Sequence, residues 1–248
     1  MVANELAHDL LKLGVRPGGV LMMHSSLKAL GPVEGGAGTV IEGLLEALDE
    51  AGTLLMPALT YERVTAEQPV FDVMRTPGNV GLIPETFRLR EGTKRSVHPT
   101  HSVCASGPRA AELLETHLLD NTPCGPHSPF HLLPKYNGQI LMLGCGLEPN
   151  TSMHAIEELV VPPYLYDPPR EYQLVLQDGT IMRKTYIPHS FHGWVQRYDR
   201  VGEMLAPPGL RGGRVLRAEA YLIEAADLWE VALRAVKKDP CCFVDRVG

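Results

Sequence analysis

No stretch of this sequence holds an apolar run approaching the length of about 18 residues that marks a membrane-spanning helix, so no contact with a membrane interior is expected. A surplus of basic residues is also missing. The 23 lysines and arginines are outnumbered by 29 aspartates and glutamates, for a formal net charge of −6. That argues against a protein whose main work is gripping nucleic acid, which needs a basic surface to displace counterions. The five cysteines (Cys104, Cys124, Cys145, Cys241, Cys242) include no CxxC pair, and their odd number does not suit a disulfide framework. Free thiols in a reducing cytoplasm are the simplest expectation. There is no HExxH motif, cysteine cluster, internal repeat, low-complexity tract or linker. Residues 1–13 carry acids early and lack a basic region before an apolar core, so they read as an amphipathic helix and not as a signal peptide. What remains is an ordinary globular composition, 44% apolar and 21% charged, in a chain long enough to bury a sizeable core as one domain over residues 1–248.

The first third of the chain indicates the fold class. Leu6, Leu10, Leu11 and Leu13 form an apolar stripe that Gly14 can stop. Val20 to Met23 is a short apolar run between Gly18-Gly19 and His24-Ser25-Ser26, and reads as a buried strand. A glycine-rich loop follows, then a helix over residues 40–48 with Thr39 as its expected cap, then a second strand over residues 53–56. Strand, loop, helix and strand make a βαβ unit. The expected fold is therefore three-layer α/β/α with a central mixed, mostly parallel sheet.

Later segments are less regular. Residues 60–79 read as a long loop, and residues 83–90 as a helix with Pro84 at its first position. Further strands are expected at 102–105 and 139–143, with a helix over 109–119 between them. Residues 120–137 hold too many prolines for regular structure. A β-hairpin is expected over residues 171–187, turning at Asp178-Gly179 as type I′. With the neighbouring loops it would shape a ligand cleft. Val215 to Ile223 reads as one strand and Ala225 to Lys238 as the last helix.

Polar residues gather in three segments: His24-Ser25-Ser26-Leu27, then residues 95–102 (Arg95-Ser96-Val97-His98-Pro99-Thr100-His101-Ser102), then residues 145–158. The last runs from an apolar strand through glycines to Asn150-Thr151-Ser152, which are suited to start a helix. His154 and Glu157 then share one helical face. Ligands in open α/β sheets bind outside the carboxyl ends of the strands, where such segments converge. Hydroxyls, helix-start N–H groups and Arg95 would suit a phosphate-bearing ligand.

In this order, these segments, together with Thr76-Pro77, Gly81, Phe87-Arg88 and Gly125-Pro126-His127-Ser128-Pro129-Phe130, resemble the aminoglycoside N(3)-acetyltransferase family over roughly residues 5–200. The resemblance implies transfer of an acetyl group from acetyl-CoA to the 3-amino group of an aminoglycoside, with other small amines as alternative acceptors. It implies His154 as general base, Thr151 as oxyanion donor, and Glu157 either orienting His154 or binding substrate. It further implies CoA contacts from His24, Ser25, Ser26, Leu27, Arg95, Ser96, His98, His101 and Ser102. Acceptor contacts are expected from Tyr61, Glu62, Asp72, Glu158 and Asp199. Partners are then CoA and a small amine, the protein working as a monomer or homodimer without a metal.

Each assignment has a plainer rival. Thr151 is by itself an N-cap, Ser25 and Ser26 turn residues, and Cys145 between its glycines a small packing residue. The strongest competing function is a metal hydrolase built from the histidines at 98, 101, 154, 189 and 192 with Glu157. Pro99 argues against it by forcing His98 to extended geometry. A non-enzymatic CoA- or nucleotide-binding module is the other rival.

Overall fold

The computed structural model describes residues 2–247. In chain order its elements are α1 (Val2–Leu13), β1 (Val20–Ser25), α2 (Gly36–Leu48), β2 (Thr53–Pro57), β3 (Val70–Asp72), α3 (Leu82–Leu89), β4 (Lys94–Arg95), β5 (Val103–Ser106), α4 (Ala110–Leu114), α5 (Pro129–Leu132), β6 (Gln139–Leu143), α6 (Ser152–Glu157), β7 (Arg170–Val175), β8 (Ile181–Tyr186), β9 (Trp194–Gln196), β10 (Leu210–Val215), β11 (Ala218–Glu224), α7 (Ala225–Lys238) and β12 (Val244–Arg246). Short 3-10 turns join several of them.

β1 is apolar at nearly every position because both of its faces are covered. Leu21 and Met23 point to one side of the sheet, where Leu54, Met56, Leu141 and Leu143 join Leu6, Leu10, Val40, Leu44, Ile83 and Phe87 from α1, α2 and α3. Val20 and Met22 point to the other side. There Leu55, Ile140 and Met142 pack on Leu113, Phe130, Met153, Ile156 and Leu228 from α4, α5, α6 and α7. The period-2 alternation of the strands thus feeds two cores, giving the expected three layers.

The sheet runs β10-β11-β6-β1-β2-β5-β4. β1 is parallel to β2 and to β6. The pairs β10–β11, β11–β6, β2–β5 and β4–β5 are antiparallel. The sheet is mixed, as expected, but parallel pairing is confined to its centre and does not predominate. The β4–β5 and β10–β11 hairpins turn straight back without the crossover that a parallel pair needs.

Several local expectations are corrected. The strand expected over residues 215–223 is a hairpin, β10–β11, in which Val215 pairs with Ala218 across Leu216-Arg217. In the β7–β8 hairpin the Leu176 N–H donates to Thr180 O, and the Gly179 N–H donates to Leu176 O. Only Gly179 of the turn residues has positive φ, so the link is a three-residue turn with a glycine bulge and not type I′. The proline-rich stretch does hold a helix, α5, with Pro129 at its start and Ser128 Oγ accepting from the Phe130 N–H. α2 begins before Thr39, α3 starts before Pro84, and α4 ends at Leu114. Inside the expected loop 60–79 lies β3, which pairs with β7 in a second sheet, β3-β7-β8. That sheet has a small core of its own, with Phe71, Tyr172, Leu174 and Tyr186.

β1, β2 and β6 end side by side, and antiparallel β5 starts at the same edge. Gly144 turns the chain out of β6 there. Its φ is +72°, its N–H donates to Glu219 O at 2.8 Å, and a β-carbon on it would sit 2.5 Å from the Ala29 Cβ. We predict that Gly144→Ala lowers unfolding free energy by about 1–3 kcal/mol through combined backbone strain and overpacking. Denaturant unfolding checks this, and an unchanged midpoint would show that the turn relaxes freely.

Candidate active site

α6 is a short helix whose side chains are all buried. Asn150 Oδ1 accepts from the Ser152 N–H at 3.1 Å and fixes the helix entry. One turn further on, His154 and Glu157 meet across the i,i+3 spacing, with Nδ1 3.1 Å from Glu157 Oε2. Glu157 is fully buried and accepts from two more donors. The Tyr198 hydroxyl donates to Oε2 at 2.6 Å, and the Tyr164 hydroxyl donates to Oε1 at 2.6 Å. Burial and the Glu157 carboxylate push both phenols well above their usual range, so they remain donors. The Tyr198 oxygen lies 2.9 Å from His154 Nδ1. Since its hydrogen goes to Glu157, this oxygen accepts. Nδ1 therefore carries the proton, and Nε2 keeps a lone pair.

A cavity of about 550 Å³ opens above this dyad. Its wall includes His24 and Ser25 from β1, Tyr61, His101, Cys145, Asn150, Thr151, His154, His189, Phe191 and Tyr198. His24 Nε2, Ser25 Oγ and Asn150 Nδ2 are buried without a hydrogen-bond partner in the protein. Such groups call for partners from a ligand or solvent. The Thr151 side chain makes no capping bond to α6, which leaves its hydroxyl available on the wall.

The model of the family described as aminoglycoside 3-N-acetyltransferase matches residues 22–237. Aminoglycoside N(3)-acetyltransferase IV of Salmonella sp is 34% identical over 246 residues, 97% of this chain and 89% of that protein. Aminoglycoside N(3)-acetyltransferase III of Serratia marcescens is 33% identical over 252 residues, 91% of this chain and 93% of that protein.

The chain belongs to the aminoglycoside 3-N-acetyltransferase family.

It is an acyltransferase by that membership. Solved structures of the family superpose on it closely. A histidine-to-alanine mutant of aminoglycoside acetyltransferase AAC(3)-IVa in complex with a gentamicin has a TM-score of 0.83 at 34% identity, covering 97% of this chain and 90% of that one. AAC-IIIb in its binary complex with CoASH has a TM-score of 0.83 at 27% identity, covering 95% and 96%. No helix among the described residues is long and apolar enough to cross a membrane.

The fold gathers some of the expected site residues of this acetyltransferase and disperses others. His24, Ser25, Tyr61, His101, Thr151 and His154 line the cavity. Glu157 lies beneath it, wholly engaged with His154 and the two tyrosines, and so is not free to meet an acceptor. Glu158, expected as an acceptor contact, is likewise engaged within the protein. Its carboxylate accepts from His189 Nε2 (2.8 Å), the Cys124 N–H (2.8 Å) and Thr122 Oγ1 (2.5 Å).

Arg95 does not reach outward for a phosphate. Its guanidinium donates to Ser102 Oγ and to the carbonyls of Val73, Thr76 and Ala58, tying β3 and the loops to β5. Ser102 donates onward to Ala58 O. Ser96 Oγ lies 2.9 Å from His117 Nδ1, and His98 Nδ1 accepts the N–H groups of Thr100 and His101, so these atoms bond within the protein, while His98 Nε2 is buried without a partner and is not part of the cavity wall. Ser26 starts a 3-10 turn, and Leu27 packs on the core side of that turn. Asp72 caps its own turn by accepting from the Met74 and Arg75 N–H groups. Asp199 pairs with Arg197, and Glu62 is an exposed neighbour of Tyr61. Burial pushes the Cys145 thiol up to about 11, which rules it out as a ready nucleophile.

Tyr198, Phe191 and Gln196 join the site without a local signal. Tyr198 is 44 residues beyond His154 in a stretch of no clear periodicity. Only the tertiary fold brings it back.

Histidines crowd this region. His98 stacks on His117 with ring centroids 5.0 Å apart, and His154 and His189 are 4.6 Å apart. Burial holds His24 and His117 down to about 3, and burial with neighbouring imidazoles holds His98, His101 and His189 well below the ordinary 6.5. The unfolded chain takes up protons at these positions as pH falls through 6.5, and the folded chain does not. Their contribution to stability is therefore intact above that pH and is lost as pH falls toward about 3. Each such histidine adds a slope of up to about 1.4 kcal/mol per pH unit. Urea unfolding should show a steep loss between about pH 6.5 and pH 4.5, and a flat profile there would mean that the rings charge inside the fold.

Proposed function

We propose that this chain transfers the acetyl group of acetyl-CoA to the 3-amino group of an aminoglycoside, with His154 as general base. The observation that carries this reading is the buried Tyr198–Glu157–His154 relay, which leaves His154 Nε2 with its lone pair beside the cavity. The acceptor amine attacks the thioester carbonyl carbon. Its proton passes to His154 Nε2, and Glu157 stabilises the imidazolium as the carboxylate of a triad does. The carbonyl oxygen becomes an oxyanion, for which the Thr151 hydroxyl is the candidate donor. Collapse breaks the C–S bond. The departing CoA sulfur takes the proton from His154, and the base is restored.

His24, Ser25 and Asn150, with polar atoms unmatched inside the protein, are the groups we assign to the co-substrate and the reacting carbonyl. The CoASH complex of AAC-IIIb and the gentamicin complex of AAC(3)-IVa support the two ligand classes.

One observation favours a second reading of the acceptor. Among the described residues no aspartate or glutamate is part of the cavity wall. A polycationic sugar would have to rely on carboxylates outside that wall, such as Asp167 in the adjoining recess. A smaller amine needs no such acidic set.

Two measurements test these statements. Glu157→Gln, which keeps the shape but disturbs the relay, should lower kcat by about 10²–10⁴-fold while CoA affinity persists. Thiol release from acetyl-CoA reads this, and near-normal turnover would remove the relay from the mechanism. Incubation with a panel of aminoglycosides should yield products heavier by one acetyl group at the 3-amino position. If no aminoglycoside is modified but small primary amines are, the second reading stands.

A further inference from the structure

His101, His154 and His189 each bring one ring nitrogen to a common point, within 4.8 Å of one another. The other nitrogen of each ring already has a partner. His101 Nδ1 lies 2.9 Å from Thr100 Oγ1, His154 Nδ1 lies 3.1 Å from Glu157 Oε2, and His189 Nε2 lies 2.8 Å from Glu158 Oε1. The converging atoms are therefore His101 Nε2, His154 Nε2 and His189 Nδ1; the carboxylates select the tautomers of His154 and His189 in which these carry lone pairs, and the Thr100 hydroxyl can accept from His101 Nδ1 to do the same. His189 Nδ1 is buried with no partner in the protein. Both flanking glutamate side chains are withdrawn from solvent, 0% and 5% exposed, and each is braced by further donors. Three neutral imidazoles, each held by a carboxylate or hydroxyl behind it, are the donor set and outer shell of a transition-metal site with one open position. Two carboxylates behind the rings also balance a charge of +2.

We propose that His101, His154 and His189 form an inhibitory site for a zinc-class divalent metal, whose open position faces the cavity. All-imidazole ligation favours zinc, copper or nickel over magnesium or calcium. Zn–N bonds of about 2.0–2.1 Å place ligand nitrogens about 3.4 Å apart, so binding draws the three rings inward. The metal takes the lone pair that His154 needs as a base, and acetyl transfer stops. The inhibitory half rests on the proposed role of His154; the binding half does not.

The test uses untagged full-length protein dialysed against chelator, then titrated with Co²⁺. The expected result is one Co²⁺ per chain with the strong visible absorption of tetrahedral cobalt, displaced by Zn²⁺. His189→Ala and His101→Ala should each weaken Co²⁺ binding by at least about tenfold, and Glu158→Gln by about 10–100-fold with the circular dichroism unchanged. Absence of the tetrahedral spectrum, or binding indifferent to His189→Ala and His101→Ala, overturns the site. In the activity arm, Zn²⁺ should slow thiol release in proportion to occupancy, with chelator restoring it. Full turnover at full occupancy overturns the inhibition and leaves the site standing. A metal-free protein that binds Co²⁺ but acetylates no amine refutes the proposed transferase reading alone.

Discussion

A carboxylate removed from water must find donors for its lone pairs or the fold loses several kcal/mol. Glu157 is in that position, and its solution organises much of the molecule. Its three donors come from α6, from the segment after it at Tyr164, and from the 3-10 turn at Tyr198. Those segments are otherwise irregular, and the carboxylate gives them a common anchor. The Tyr198 turn is tied in turn to the chain end, where Arg197 and Arg200 both meet Asp245 and β9 pairs with β12. The last residues of the chain thus support the relay indirectly.

The same arrangement pairs a buried carboxylate with an imidazole and two phenols. The two tyrosines satisfy Glu157 without supplying a positive charge. Glu158, the next residue, repeats the pattern on His189 with a hydroxyl and a backbone N–H as its other donors. Adjacent glutamates at the end of a short helix thereby brace two adjacent imidazoles. Arg95 plays the opposite role: its guanidinium bonds to backbone carbonyls and to Ser102, and pins loops to the sheet.

The relation of sequence to structure is uneven along the chain. The βαβ start was legible because buried strands and an amphipathic helix leave strong periodic patterns. The hairpin of β7 and β8 was legible in place but not in turn type, since Asp-Gly fits both a two-residue turn and a bulged three-residue one. The β10–β11 hairpin was hidden because no glycine or proline marks its turn at Leu216-Arg217, where Leu216 itself takes the left-handed conformation with φ of +51°. Polar residues such as Arg95, Ser96, His98 and Ser102 looked like ligand contacts because residue type says nothing about which neighbour will use a donor.

Sequence alone determined the layer architecture, the family and the His154–Glu157 pair, because these depend on periodicity, ordered motifs and an i,i+3 spacing that any helix enforces. Tertiary structure decided what those residues do. It set Glu157 against His154 and two tyrosines, turned Glu158 inward to His189, spent Arg95 on the scaffold, and delivered Tyr198 from far along the chain. The physical reason is that burial sets each role: a charged or polar group removed from water must bond to whatever the fold places beside it, and that neighbour is not written in local sequence.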